Sequence, residues 1–199
     1  MLKRINIINK IFPKPSIDNL SYDLEGLWSI THPDEAEIIS INIIKLLEIH
    51  CISNNMILDM TAGCGGNTIS FCNYFNNVVA VENNDDRFNI LKTNLECYNY
   101  NNYKLIKGDS IECIDNIYDV FFIDPPWGGP DYKKFNNIEL YLSNVKINDI
   151  VAIIPNNKLV VLKLPFNYNI SELTDKYKLL LKLEIKNIII LYLLTNNNI

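Results

Sequence analysis

Met56-Ile57-Leu58-Asp59-Met60-Thr61-Ala62-Gly63-Cys64-Gly65-Gly66-Asn67-Thr68 is an apolar run that ends on an acid and turns through glycines. Residues 56–60 read as a strand and residues 67–75 as a helix, so the stretch is a strand, a tight turn and a helix start. Glycine is needed where a backbone turns sharply or must touch a ligand. A dinucleotide fingerprint would want glycine or alanine at position 68, where this chain has Thr68. A phosphate gains nothing from a carboxylate such as Asp59, whereas a cationic ligand does. S-adenosylmethionine carries an ammonium and a sulfonium, so Asp59 followed by Thr61, Gly63, Gly65, Asn67 and Thr68 suits it. The plain alternative is a glycine turn with only a packing role.

Outward from that turn, strands and helices alternate. Pro33-Asp34-Glu35 opens a helix with apolar residues at Ile38, Ile39, Ile41, Ile44 and Leu47. Strands are expected at 78–82, 103–107, 119–124 and 159–164, with a helix over 86–98 and helical material within 138–154. A helix near 171–177 precedes two β-rich runs, 179–185 and 188–194, close enough to pair as a hairpin around Lys186-Asn187. Strands separated by helices imply a parallel α/β sheet. Such a sheet binds ligands beyond the carboxyl ends of its strands. The informative loops therefore follow Asp59, Glu82, Lys107 and Asp124.

The chain has 199 residues, of which 48% are hydrophobic and 21% charged, enough for one domain with a substantial core. That composition excludes disorder across the whole chain. The most apolar stretch, 188–194, is far shorter than the roughly 20 residues of a spanning helix. The opening run is broken by Asn6, Asn9 and Lys10 and reads as no signal peptide. An intracellular protein, cytoplasmic or nuclear, is expected. Five cysteines without CxxC spacing and two histidines outside any ligand pattern argue against zinc and disulfide scaffolds, and no metal is expected. A net charge of −5 argues against a basic surface for gripping long nucleic acid. A nucleic-acid substrate would be read through a small, local feature. The abundant Asn and Ile are treated as compositional drift.

Three further motifs stand at strand ends. Glu82 closes Val78-Val79-Ala80-Val81-Glu82, where an acid can accept both hydroxyls of a ribose. Gly108-Asp109 follows the third strand, where Asp109 could meet an adenine amino group. Asp124-Pro125-Pro126-Trp127-Gly128-Gly129-Pro130-Asp131-Tyr132 is the strongest signal. Its two prolines stiffen the loop and remove two N–H donors, leaving carbonyls and the Asp124 carboxylate as a pure acceptor site. Such a site suits an amino group with hydrogens to give. Trp127 offers a flat face on which a base can stack.

An aspartate followed by Pro-Pro and an aromatic resembles the amino-methyltransferases that use S-adenosylmethionine. The longer run from Pro125 to Tyr132 is similar to the trimethylguanosine synthase family, which methylates N2 of the 7-methylguanosine RNA cap. Leu27-Trp28-Ser29-Ile30-Thr31, Gly65-Gly66-Asn67-Thr68 and Asn94-Leu95-Glu96-Cys97-Tyr98 resemble further family segments. The resemblance runs from about Leu27 to Asn167. It implies that Trp127 stacks the 7-methylguanine, that Asn94 and Asp124 hydrogen-bond it, and that Ser29 and Thr31 lie near the methyl donor. Trp28 would be a second aromatic wall or else a core tryptophan. Lys133 and Lys134 would meet the cap phosphates or else be ordinary solvated lysines. The family pattern has serine where this chain has Asp124, and arginine where Phe166 follows Pro165.

The expected fold is α/β: a Rossmann-like class I methyltransferase with a mostly parallel seven-stranded sheet and a terminal antiparallel hairpin. A short arm over residues 1–27 would precede a methyltransferase domain over 28–199. The expected reaction is methyl transfer from S-adenosylmethionine to N2 of 7-methylguanosine-capped RNA by a monomer, with Asp124, Pro125 and Trp127 as catalytic residues. The alternatives are an adenine-N6 or other exocyclic-amine methyltransferase, or a catalytically silent cap-binding module.

Overall fold

Strand residues alternate between two apolar layers, and that alternation explains the architecture. The computed structural model describes residues 2–16 and 18–195. In chain order the elements are α1 (Leu2–Ile11), α2 (Leu24–Ser29), α3 (Pro33–Ile49), β1 (Met56–Asp59), α4 (Gly66–Phe71), β2 (Asn77–Glu82), α5 (Asp85–Glu96) and β3 (Tyr103–Lys107). Then come β4 (Val120–Ile123), β5 (Tyr141–Leu142), β6 (Val145–Lys146), α6 (Ile147–Ile153), β7 (Leu159–Pro165), α7 (Ser171–Lys176), β8 (Lys178–Ile185) and β9 (Ile188–Leu194).

Seven strands form one sheet in the order β3-β2-β1-β4-β7-β9-β8. The first five are parallel; β9 runs antiparallel to β7, and β8 pairs antiparallel with β9. Ile57, Val78, Ala80, Val120, Phe122, Leu159, Val161, Ile190 and Tyr192 face one layer, with Ile39, Ile43 and Leu47 of α3, Ile69 and Phe71 of α4, and Leu91 and Leu95 of α5. Leu58, Val79, Val81, Phe121, Ile123, Val160, Leu162, Leu191 and Leu193 face the other, with Ile147, Ile150 and Val151 of α6 and Leu173 of α7. Neighbours in a strand point to opposite faces, so apolar runs such as Val120–Ile123 are what a sheet covered on both sides requires. Truncating Phe122 to alanine would cost roughly 3–5 kcal/mol.

The expected sheet and hairpin are both present. Two local expectations differ. The helix after the glycine turn ends at Phe71 because the chain tightens there, and Asn102 Nδ2 donates to the carbonyls of Cys72 and Phe75 at 2.9 and 2.8 Å. Residues 138–146 hold a small hairpin, β5–β6, ahead of α6; Ser143 and Asn144, both at positive φ, form its two-residue turn. Residues ahead of position 28 share the main core, since Ile11, Phe12 and Leu20 are buried in the layer that holds α3 and α5. Among the described residues no helix is long and apolar enough to cross a membrane, and no cluster of His, Cys, Asp or Glu could hold a metal.

Strand order places the site. The chain moves outward from β1 to β2 and β3, then crosses back to β4 on the other side of β1. That reversal opens a crevice at the carboxyl ends of β1 and β4, the place where open α/β sheets take ligands.

Candidate active site

Asp59 ends β1 with no exposed surface. Thr68 Oγ1 donates to its Oδ2 at 2.6 Å, and the Thr61 N–H reaches Oδ1 at 3.3 Å. Burial pushes this carboxyl up to about 7; the two hydrogen bonds pull it back, and the charges of Asp124 and Glu82 add to the rise. Three acids therefore crowd the ends of neighbouring strands. A cation bound beside them would relieve that repulsion.

The glycine turn leaves Asp59 with Gly63 and Gly65 at positive φ. Glu82 at the end of β2 braces it: its Oε2 accepts from the Gly63 N–H at 2.9 Å and its Oε1 from the Asn84 N–H at 3.0 Å. Each carboxylate oxygen keeps a second lone pair, so Glu82 can still accept a pair of hydroxyls. Asn67 Nδ2 donates to the buried Thr31 Oγ1 at 2.8 Å, while Asn67 Oδ1 is buried without a partner. An unpaired buried acceptor is a place for a hydrogen-bond donor. Asp109 follows β3 and caps the short 3-10 turn over Ser110–Cys113 by accepting from the Ile111 N–H at 3.0 Å. These groups fit the ammonium and ribose of S-adenosylmethionine.

The proline loop joins the same crevice from β4. The Asp124 N–H donates to Thr61 Oγ1 at 2.7 Å, which ties the loop to the glycine turn. Pro125 is buried and Pro126 exposed. Trp127 is half-buried, stands edge-on to Tyr132 with ring centroids 5.2 Å apart, and has its indole N–H buried without a partner. Asn167 holds the far end of the loop by donating Nδ2 to the carbonyls of Tyr132 and Phe135, both at 2.8 Å. Lys133 is exposed, 5.6 Å from the Tyr132 ring, and Lys134 pairs with Asp131 at 2.7 Å.

Lys163 was not singled out by motif. It sits in the middle of β7, and its Nζ reaches Asp124 Oδ2 at 2.6 Å. Burial raises the Asp124 carboxyl above the ordinary range, and the Lys163 charge and hydrogen bond oppose the rise. The available signal was a lysine inside an otherwise apolar run, Leu159-Val160-Val161-Leu162-Lys163-Leu164. A charge in a strand covered on both faces must have a partner.

The remaining expected residues lie on the segment ahead of α3 and on α5. Asn94 is fully buried: Nδ2 donates to the carbonyls of Ser21 at 2.9 Å and Cys64 at 2.8 Å, and Oδ1 accepts from the Ser21 N–H at 2.8 Å. Both amide hydrogens are thus spent on stitching the leading segment to the glycine turn, and none faces a guanine in this arrangement. Arg87, also missed, adds a second stitch by donating to Asp23 at 2.9 Å and Glu25 at 2.7 Å. Burial acts to raise the Asp23 carboxyl, but the hydrogen bonds from Arg87 and the Gly26 N–H hold it below the ordinary range. Ser29 is exposed and donates to the Glu25 carbonyl at 3.0 Å. Trp28 is 77% exposed, so it is no core residue.

A family model described as RNA cap guanine-N2 methyltransferase matches residues 54–199. The chain is 32% identical over 174 residues to uncharacterized protein L320 of Acanthamoeba polyphaga mimivirus, covering 84% of this chain and 60% of that protein. It is 27% identical over 164 residues to trimethylguanosine synthase of Schizosaccharomyces pombe, covering 76% of this chain and 65% of that protein. The chain thus spans less than two thirds of the length of either relative. Among solved structures, the T. thermophilus 16S rRNA N2 G1207 methyltransferase in complex with AdoMet and guanosine superposes with a TM-score of 0.60 at 17% identity. That match covers 81% of this chain and 43% of the other, and it shows a shared fold.

Proposed function

The chain belongs to the RNA cap guanine-N2 methyltransferase family, and on that premise we propose that it transfers a methyl group from S-adenosylmethionine to the exocyclic N2 of a 7-methylguanosine RNA cap. One observation carries the reading. The Asp124-Pro125-Pro126-Trp127 acceptor loop is hydrogen-bonded through Thr61 to the glycine turn that suits the methyl donor. Donor and acceptor sites therefore share one crevice.

S-adenosylmethionine, when bound, supplies an electrophilic methyl group on a leaving sulfur. The chain supplies position and charge. Asp59 and the unpaired Asn67 Oδ1 receive the cationic end of the donor, and Glu82 takes the ribose hydroxyls. Trp127 stacks the 7-methylguanine, whose positive charge over an indole is worth roughly 0.5–2 kcal/mol. Trp28 and Lys133 remain candidates for a second wall and for a cap phosphate. Asp124 and the backbone carbonyls of the proline loop accept the hydrogens of N2 and turn its lone pair toward the methyl group. The N–C bond forms as the C–S bond breaks, and the amine loses one proton to Asp124 or to water. No strong base is required, because the amine becomes acidic as it gains the methyl. Holding the reactants in line and meeting the developing charge provide the acceleration.

Calorimetry tests the reading. S-adenosylhomocysteine should bind, and 7-methylguanosine triphosphate should then bind more tightly than guanosine triphosphate. Absence of heat with S-adenosylhomocysteine would leave only a silent cap-binding module.

A further inference from the structure

Lys163 is 5% exposed, the only lysine or arginine enclosed to that degree among the described residues. Its Nζ lies 2.6 Å from Asp124 Oδ2 and 5.5 Å from the centroid of the Trp127 ring. One ammonium therefore pairs with the carboxylate of the acceptor loop and faces its tryptophan ring. No described residue donates to Asp124 Oδ1, whereas Oδ2 is occupied by Lys163. The charged group that acts on Asp124 through both a hydrogen bond and its charge is Lys163 of β7, while the charges of Asp124 and of Glu82 at the end of β2 both bear on Asp59 at the end of β1.

We propose that Lys163 is a positioning residue of the methyl-accepting site: it binds Oδ2 so that Asp124 stays an anion with Oδ1 as the acceptor, and it braces the Trp127 ring. A protonated Asp124 would present an O–H to an amine that itself has only hydrogens to offer, and the acceptor site would lose its complementarity. A buried carboxylate beside another acid and no cation takes up a proton at higher pH. The identity of Lys163 thus sets the pH above which the acceptor loop is competent. The kinetic part of this inference rests on the methyl transfer proposed above.

The test compares Lys163→Met, Lys163→Arg and Lys163→Met/Asp124→Asn with the parent protein. For Lys163→Met, the acid limb of the pH–rate profile should move up by at least one pH unit. Its KM for 7-methylguanosine triphosphate at pH 7 should rise about tenfold, with the rate recovering as pH rises. Lys163→Arg should keep the parent limb. A Lys163→Met protein with the parent pH profile and KM, merely less thermostable, would overturn the proposal. Should Lys163→Met fail to fold, the double variant, which removes both charges, should fold; its failing as badly would equally overturn it. Carboxyl 13C NMR separates this question from the activity itself. The Asp124 signal, assigned by its loss in Asp124→Asn, should titrate at higher pH in Lys163→Met than in the parent, whether or not caps are methylated. An unchanged titration would contradict the assigned role.

Discussion

Thr68 Oγ1 donates to Asp59 Oδ2 across 2.6 Å, and both residues are fully buried at the carboxyl end of β1. Even with this bond, burial holds the Asp59 carboxyl at about 7, against 3.8 for the unconstrained group. Between those values the folded protein keeps a proton that the unfolded chain has released. This group's contribution is therefore full below about pH 4 and is lost as pH rises through about 7. The amount at stake is on the order of 4 kcal/mol. Asp59→Asn should melt higher than the parent at pH 8 and close to it at pH 4. Equal melting temperatures at pH 8 would show that Asp59 is not strained.

With Asp59 in its proposed role, donor binding should depend on pH. S-adenosylmethionine brings a cation that favours ionised Asp59, so its binding should release a proton near pH 7. The thermal shift it produces should be larger at pH 8 than at pH 6. A shift independent of pH would mean that Asp59 does not sense the donor.

The leading segment is pressed against the glycine turn. A methyl group on Gly66 would stand 2.7 Å from Ile30 Cγ1 and 2.8 Å from the Thr31 carbonyl oxygen. Backbone cannot swing aside as a side chain can, so Gly66→Ala should cost about 1–3 kcal/mol. A loss of that size lowers the melting temperature by roughly 2–4 °C per kcal/mol in a chain of this length. S-adenosylhomocysteine affinity should fall with it. Unchanged affinity would show that the segment does not support the donor site.

Asn94 separates a stitch from a substrate contact. Asn94→Leu leaves Ser21 and Cys64 with unmet backbone groups and should destabilise by about 1–3 kcal/mol per group left unsatisfied. At a temperature where it is folded, its KM for 7-methylguanosine triphosphate should stay near the parent value. A large rise in KM without loss of stability would return Asn94 to the guanine.

Trp127→Ala should abolish cap binding and transfer, while Trp127→Phe, which keeps a π face, should retain part of both. Trp28→Ala should be stable, since Trp28 packs into no core. A fully active Trp127→Ala protein would remove the stacking role.

Much of the fold was legible because its signals are local. The apolar runs at 78–81 and 120–123, separated by helical patterns, require a parallel sheet, and 188–194 after 179–185 requires a hairpin. The hairpin at Tyr141–Lys146 was not legible, because two-residue strands have no period and Ser143-Asn144 is a weak turn signal. In the site, Asp59, Glu82 and Asp124 announced themselves by standing at strand ends. Lys163 and Arg87 did not, because each takes its meaning from a partner 39 or more positions away. Asn94 shows the converse. It lies in a segment that resembles the family, and the structure places its amide between Ser21 and Cys64.

Mass spectrometry of 7-methylguanosine triphosphate and guanosine triphosphate, each incubated with the protein and S-adenosylmethionine, addresses the cap activity most directly. The expected result is a gain of one or two methyl masses on the 7-methylated compound alone. No gain on either compound while S-adenosylhomocysteine binds, or equal gain on both, would contradict methyl transfer to the 7-methylguanosine cap.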